Sequence, residues 1–277
     1  MKRTGTMIAA LLAGAALAPG AAQAQTRGGF EAGVEVFDYS YRERLDGETI
    51  VFDDGSFGGF HLAYVETIGG GLFLRGKLSA ATGSVDYRSP DPVEDDRIEN
   101  VAQSTGQLEL HVGIDLPVGG GATFSPFIGL GGRSLIDESG GEVSTGGLAG
   151  YDREVGYAYV PIGIGARFPV GKGAILLNAQ YDIVVNGTAE SKLSDLDPEI
   201  PDLKLDLDKG RGFEASVAYQ MAIGKHALSF GPFVRHWRID RSDSFAITNP
   251  DDPSESLEFF EPRSRTTELG LRLSFAF

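Results

Sequence analysis

Few residues in this sequence have the chemistry needed for catalysis. It has four histidines and no cysteine, which excludes thiolate nucleophiles, thiolate metal sites, disulfides and a cysteine-linked lipid anchor. Glu109 and His111 are separated by one residue, a spacing that places both side chains on one face of a strand. A histidine beside a carboxylate can activate water as a general base, but the interpretation we favour for this pair is structural. No G-x-S-x-G nucleophile motif occurs.

Carboxylates are concentrated in short runs outside the apolar segments. They lie at residues 53–54, 91–96, 194–199 and 206–208. Clustered carboxylates attract hard divalent cations, yet none of these runs has the glycine and the distant glutamate of an EF-hand loop. We therefore expect a solvated acidic rim, and we predict neither a metal site nor a cofactor site.

The net charge of the chain is −15, and it becomes −17 once Lys2 and Arg3 are lost with the N-terminal segment. Such acidity argues against nucleic acid as a partner, because phosphates require Lys and Arg. Acidic loops would also repel the phosphates of lipopolysaccharide unless cations bridge them, or would favour cationic solutes and partners.

Apolar and polar residues alternate in ten segments, each about as long as the 9–11 residues that cross a bilayer as a tilted strand. Residues 107–116 are the clearest case, with leucine, valine and isoleucine at every even position and polar residues or glycine between them. The predicted inner faces carry Glu31, Glu35, Arg75, Lys77, Glu109, His111, Asp115, Arg133, Arg167, Asp182, Glu214, Arg235, Glu268 and Arg272. These residues would either line a polar channel or fill the lumen with ion pairs; ten strands favour filling.

The connections between the ten segments alternate between long and short. Long connections are predicted at about 43–57, 88–103, 136–153, 188–210 and 241–264, and short turns at 69–71, 117–121, 169–173 and 224–225. Bacterial membrane barrels have this layout, whereas the crossovers of a Greek-key sandwich would break it. The predicted fold is all-β: a transmembrane antiparallel up-and-down β-barrel of about 10 strands, with five long extracellular loops and four short periplasmic turns.

The N-terminus has the features of an export signal. A basic start at Lys2 and Arg3 precedes the apolar run 7–18 and the small-residue site Ala22-Gln23-Ala24, the pattern of a secretory signal peptide. We predict a signal peptide over residues 1–24 that is cleaved after Ala24, and a barrel domain over residues 25–277. No later stretch reaches the roughly 20 apolar residues of a transmembrane helix.

The C-terminal nine residues, 269–277, alternate without exception and end on Phe277. They resemble the C-terminal signal strand of bacterial outer-membrane barrels, which the barrel-assembly machinery reads. With Ser125-Pro126-Phe127-Ile128 and Gly231-Pro232-Phe233-Val234, they resemble the small outer-membrane barrel superfamily that includes the OmpA-like and opacity-type proteins. The resemblance implies a location in the outer membrane of a Gram-negative bacterium, and no particular activity.

The omptin proteases also have ten strands, and they place an Asp-His pair and an Asp pair at the extracellular lip. Strand position predicts that His61 and His236 lie near that lip, close to Asp53, Asp54 and Asp240. The sequence has no Asp-x-His of the omptin kind.

These observations predict a monomeric, non-enzymatic outer-membrane barrel with a largely plugged polar lumen, in contact with membrane lipid and lipopolysaccharide. Its expected role is in envelope structure or surface interaction. A narrow cation-preferring porin is the first alternative, and an omptin-like protease is the second.

Overall fold

The structure is a computed structural model that describes residues 28–90, 95–248 and 256–277. The predicted signal peptide and part of the acidic run 91–96 lie outside these residues. Fourteen strands are present in the described chain. They are β1 (Gly29–Leu45), β2 (Glu48–Gly69), β3 (Leu72–Pro90), β4 (Asp95–Ile114), β5 (Leu116–Gly119), β6 (Ala122–Glu138), β7 (Arg153–Val170), β8 (Gly173–Ser191), β9 (Leu203–Asp206), β10 (Gly210–Ile223), β11 (His226–Ile239), β12 (Phe245–Thr248), β13 (Ser256–Phe259) and β14 (Arg263–Ala276).

Ten of these strands form one closed antiparallel barrel. The order is β10-β11-β14-β1-β2-β3-β4-β6-β7-β8, and β8 pairs with β10 to close the sheet. The C-terminal strand β14 lies between β1 and β11, so the first and last strands of the barrel pair in the wall. The ten-stranded antiparallel barrel predicted from alternation is therefore confirmed.

The remaining strands are attached at the two ends of the barrel. β5 pairs with β6 beside a turn, and β9 pairs with β8 beyond the barrel wall. β12 and β13 form a separate hairpin. A single 3₁₀ turn, Leu193–Asp195, follows β8. No helix of the described chain is long and apolar enough to cross a membrane.

The barrel has two distinct ends. Two-residue turns join β2 to β3, β5 to β6, β7 to β8 and β10 to β11, at the end where β1 begins and β14 finishes; we call this the turn end. The opposite end carries the connections after β6, β8 and β11, and we call it the loop end.

The first connection at the loop end corrects a prediction. Residues 43–57 were expected to form a long loop, but β1 and β2 pair almost to their tips and are joined by Asp46 and Gly47 alone. Both residues have positive φ, 50° and 93°. Asp-Gly is favoured in such a turn because Gly tolerates positive φ and Asp adopts it more readily than most residues. The strands therefore continue well beyond the length that a bilayer requires.

Apolar side chains cover the outside of the barrel near the turn end. We call this surface the apolar belt; its exposed members include Phe30, Val34, Val36, Phe60, Leu62, Leu108, Leu110, Ile128, Leu130, Ile162, Ile164, Ile183, Phe213, Val217, Phe230, Leu269, Leu271 and Leu273. Outward positions nearer the loop end are polar, for example Asp38, Ser56 and Thr82. A band of this kind is what a barrel presents to lipid, so the strand segments beyond it lie outside the membrane.

Glycine permits one close contact between neighbouring strands of the wall. A Cβ atom added at Gly231 in β11 would overlap the carbonyl oxygen of Val217 in β10. Because backbone cannot move cheaply, we expect Gly231→Ala to lower the free energy of unfolding by about 1–3 kcal/mol. The matched control is Gly58→Ala, whose Cβ would meet nothing within 4 Å. Equal urea midpoints for the two variants would contradict this prediction.

Candidate functional site: the charged core of the lumen

Five of the predicted inner-face residues form one chain of ion pairs in the middle of the lumen. Glu268 binds Arg133 through one carboxylate oxygen and Arg235 Nη1 through the other, the latter at 2.6 Å. Arg235 Nη2 reaches Glu35 Oε1 at 2.5 Å, and Arg272 Nη2 reaches Glu35 Oε2 at 2.9 Å. Glu35, Arg133, Arg235 and Glu268 are all buried. Both carboxylates are thus shared between two guanidinium groups, which offsets the cost of removing these charges from water.

This chain crosses the barrel. Arg133 belongs to β6 and Glu268 to β14, which are five strands apart in either direction around the ten-stranded sheet. Their contact therefore joins opposite walls. A second contact of this kind joins Lys77 of β3 to Glu214 of β10, with Nζ and Oε1 3.8 Å apart. Small barrels are commonly filled by their own side chains in this way.

A second polar group surrounds Glu109. Lys77 Nζ lies 2.6 Å from Glu109 Oε2, while Gln180 Nε2 and the Tyr159 hydroxyl donate to Oε1 at 2.5 and 3.0 Å. Gln180 also donates to Asp182 at 2.8 Å. Arg272 connects the two groups, because its Nη1 lies 3.8 Å from Glu214 Oε1.

His111 belongs to the same network and is held in one orientation. Arg75 Nε and Nη2 lie 3.1 and 2.8 Å from His111 Nδ1. Arginine can only donate, so Nδ1 is the acceptor and the ring proton is on Nε2. Nε2 lies 3.5 Å from Glu109 Oε2. The Glu109-x-His111 pair is thus engaged on both sides by lumen residues.

Aromatic side chains pack around the ion pairs, with Trp237 on their loop-end side and Phe233 between Arg235 and Arg272. Trp237 and Phe233 are each 2 % exposed. The Trp237 ring packs against Tyr159 with centroids 4.9 Å apart, and the Arg133 guanidinium lies 5.5 Å from its centroid. Arg235 lies over Phe233 at 4.6 Å. The aromatic residues therefore cover the charges with apolar surface.

A cavity of about 350 Å³ occupies the lumen on the turn-end side. The three remaining predicted residues, Glu31, Asp115 and Arg167, are among those that line it. His61 also lines it, and its Nε2 lies 3.2 Å from Glu31 Oε1 and 2.9 Å from Ser274 Oγ. All fourteen residues predicted from alternation thus fall in the ion-pair chain, the Glu109 group or this cavity.

A further cluster at the loop end was missed by sequence reasoning; we call it the rim cluster (Glu43, Asp53, Gln103, Asp137, Arg153 and Glu261). Arg153 bridges Glu43, at 2.5 Å, and Glu261. Gln103 Nε2 lies 2.5 Å from Asp137 Oδ2 and 3.4 Å from Asp53 Oδ2. Most of these positions fell in predicted loops, so their alternation was not followed past the apolar belt. The sequence signal that could have revealed the rim cluster is this alternation, which continues along the strands past the apolar belt.

Burial dominates the electrostatics of the rim cluster. Asp53 is 4 % exposed, and burial, together with the nearby charges of Asp137 and Glu43, raises its pKa to about 7. Burial also raises the pKa of Asp137. Both carboxylates are consequently easier to protonate than exposed ones.

The two histidines expected at the lip lie elsewhere, which corrects that prediction. His61 contacts Glu31 and Ser274 near the turn end. His236 is on the outward face of β11, next to the Thr267 hydroxyl at 2.9 Å. β2 begins at Glu48, inside the predicted loop 43–57, so His61 lies far from the loop end. His236 faces outward because alternate residues of a strand point to opposite sides of the sheet, and the sequence argument had used only its height along the strand. Within the described chain, no group of three or more His, Asp or Glu side chains is placed to bind a metal ion.

Comparisons with known proteins identify the fold. No protein-family model and no curated protein matches the sequence. Among solved structures, the outer membrane protease OmpT from Escherichia coli matches with a TM-score of 0.58 at 9 % identity, over 91 % of this chain and 98 % of that chain. The translocator domain of autotransporter NalP from Neisseria meningitidis matches with a TM-score of 0.37 at 12 % identity, over 90 % and 88 %. A mutant of the monoaromatic hydrocarbon channel TodX gives 0.33 at 10 %, over 90 % of each chain. The chain has the fold of an outer-membrane β-barrel.

Proposed function

We propose that this protein is a non-conducting, non-enzymatic barrel of the outer membrane that acts in envelope structure or in interactions at the cell surface. The observation that carries the proposal is the contact between Arg133 and Glu268, which joins opposite walls of the lumen. An ion or solute that passes through would have to separate this pair.

Separation of the pair would be costly. Breaking one buried ion pair typically costs about 3–5 kcal/mol, because a charge is left uncompensated in a medium of low polarity. Here Glu268 has two guanidinium partners and Glu35 has two, so several pairs would have to break together. The packed ring of Trp237 adds a second obstruction on the extracellular side. The cavity on the turn-end side is then closed toward the extracellular side and faces the periplasm.

The extracellular part supports a role in surface contact. The strands extend beyond the apolar belt, and the loop after β6 displays Val143 and Leu148 at 63 % and 67 % exposure. Leu196 and Ile200 are exposed in the connection after β8. Contiguous apolar patches displayed to water mark binding surfaces, so these four side chains are the positions to test first for surface contact.

The non-enzymatic part of the proposal is supported by the positions of the histidines. His61 is near the turn end and His236 faces outward, so neither is next to the carboxylates of the rim cluster. We expect no cleavage of peptides by the purified protein. Cleavage that His236→Ala or His61→Ala abolishes would instead establish the omptin-like alternative.

Single-channel recording tests the closed lumen. We expect the folded protein in a planar bilayer to give no discrete current steps, because the crossing ion pairs and the aromatic layer obstruct the lumen. The positive control is a double variant in which Arg133→Ala breaks the crossing ion pair and Trp237→Ala removes a ring of the aromatic layer. Current steps from this variant would show that the assay detects an opened barrel.

Discrete cation-selective steps from the unmodified protein would overturn the proposal in favour of a narrow porin. In that case Glu214→Gln, which removes a charge from the cavity lining, should reduce the selectivity. The contrast between the unmodified protein and the opened variant therefore decides between the two functions.

A further inference from the structure

Arginines form an unbroken row across three neighbouring strands on the outer surface of the barrel. Strand register pairs Arg211 of β10 with Arg238 of β11, and Arg238 with Arg265 of β14. All three side chains occupy outward positions, in step with Phe213, Val234 and Leu269 of the apolar belt. Arg263 lies two residues beyond Arg265 on the same face. This basic surface, which we call the arginine row (Arg211, Arg238, Arg263 and Arg265), stands out on a chain of net charge −15.

Like charges directly opposite one another in a sheet are destabilising. Few carboxylates neutralise the positive charges of the row. Asp240 Oδ1 lies 3.4 Å from Arg263 Nε and 3.7 Å from Arg238 Nε. No ion pair within the described residues reaches Arg211 or Arg265, and the Nε atoms of Arg238 and Arg265 are buried without a hydrogen-bond acceptor there. Burial and the neighbouring guanidinium groups of Arg263 and Arg211 lower the pKa of Arg238. The site is short of negative charge.

The row lies at the height of lipid headgroups. Arg211 is two residues beyond Phe213, and Arg238 and Arg265 are each four residues beyond the last apolar side chain of their strands. With strands tilted by about 45°, these separations correspond to roughly 5 Å and roughly 10 Å above the apolar belt. The polar layer of a bilayer extends roughly 5–8 Å beyond its hydrocarbon. Arg211 therefore lies level with the phosphate layer of the outer leaflet, and the long side chains of Arg238 and Arg265, which start just above this layer, can extend down to it.

A groove beside the row combines cationic and apolar walls. A cavity of about 300 Å³ opens between β8, β10 and β11, where Lys209, Arg211 and Arg238 meet the belt residues Tyr181 and Ile183. Asp208 and Asp240 also line it. A ligand that carries phosphate above an acyl chain would satisfy both halves of such a groove.

We infer that the arginine row and this groove bind the phosphates of lipid A in the outer leaflet. The phosphorylated glycolipid supplies the missing negative charge, and its acyl chains lie against Tyr181 and Ile183. The acidity of the loops predicts repulsion of these phosphates, but the loops project beyond the membrane while the row faces the lipid. This inference does not depend on whether the lumen conducts.

The far part of the same register row offers a matched control. From strand to strand, Arg265 pairs with Arg42 and Arg42 with Phe52. Phe52 in turn pairs with Arg88, and Arg88 with Arg97. Arg42 binds Asp54 at 2.7 Å, and Arg42 and Arg88 enclose the Phe52 ring at 4.7 and 4.5 Å. These arginines lie farther along their strands from the apolar belt. The control thus removes three arginines of one row without touching the headgroup layer.

The experiment is native mass spectrometry of the detergent-solubilised full barrel, titrated with lipid A, dephosphorylated lipid A, phosphatidylglycerol or inorganic phosphate. We expect Arg211→Gln/Arg238→Gln/Arg265→Gln to weaken lipid A binding at least tenfold, and Arg42→Gln/Arg88→Gln/Arg97→Gln to change it less than twofold. Removal of the phosphates from lipid A should weaken binding to the unmodified protein to the same extent as the first triple variant.

Four results would overturn the inference. They are unchanged lipid A binding by the first triple variant, equal binding of dephosphorylated lipid A, equal binding of phosphatidylglycerol, and displacement of lipid A by equimolar inorganic phosphate. If the first triple variant fails to fold, Arg211→Gln and Arg265→Gln alone must each weaken binding about threefold. Single variants that bind as tightly as the unmodified protein would count against the site.

Discussion

Glu268→Gln is expected to lower the free energy of unfolding by about 3–5 kcal/mol, the typical cost of breaking a buried ion pair. Glu268 is fully buried and neutralises both Arg133 and Arg235. The amide retains the volume of the carboxylate but removes its charge, so two buried guanidinium groups must share fewer negative partners. Urea unfolding in detergent measures the change, and Trp237, the single tryptophan of the chain, reports it because it packs beside Arg133.

The control is Glu154→Gln, whose side chain is exposed on the outside of the barrel. Changes at exposed positions of this kind are usually within about 0.5 kcal/mol. A double variant with Arg133→Met and Glu268→Gln should recover part of the loss, because one of the two unpaired charges is then absent. A loss equal to that of the control would mean that water reaches the pair, and it would weaken the closed-lumen proposal too.

Asp53→Asn is expected to stabilise the protein at pH 8 and to leave its stability at pH 4 nearly unchanged. Burial raises the pKa of Asp53 from 3.8 to about 7. Its contribution to stability is therefore fully present below pH 3.8 and is lost as the pH rises through about 7. A difference of about three pH units corresponds to an upper limit of about 4 kcal/mol. Asparagine fills the same space and cannot ionise, so it avoids this loss.

Thermal unfolding of the two proteins at pH 4, 6 and 8 checks the prediction. The midpoint of the unmodified protein should fall from pH 4 to pH 8 more steeply than that of Asp53→Asn, with most of the difference appearing between the unfolded pKa of 3.8 and the folded pKa of about 7. The control is Asp54→Asn: Asp54 is the next residue but is exposed and paired with Arg42, so its removal should not flatten the profile. Parallel pH profiles for Asp53→Asn and the unmodified protein would show that Asp53 ionises normally.

The architecture of the barrel could be predicted from the sequence because it depends on a local repeat. In residues 107–116 and 269–277 the side chains alternate strictly, and alternation of this kind recurs around a wall that has an apolar outer face and a polar inner face. Ten strands, antiparallel pairing and the polar inner face follow from this repeat. The Asp46-Gly47 turn was also readable, since Asp-Gly between alternating segments is a strong hairpin signal. It was missed because the membrane-crossing length was used to limit the strands.

The tertiary structure alone decided which charges meet. Arg133 and Glu268 are separated by 135 positions in sequence and lie on opposite walls, and alternation assigns a face without assigning a partner. The same limit applies to His61, whose face was predictable while its neighbours Glu31 and Ser274 depend on register. Register also aligns Arg211, Arg238 and Arg265 into one row. Pairing of this kind depends on the stagger with which ten strands close into a barrel, a property of the whole sheet that no single segment contains.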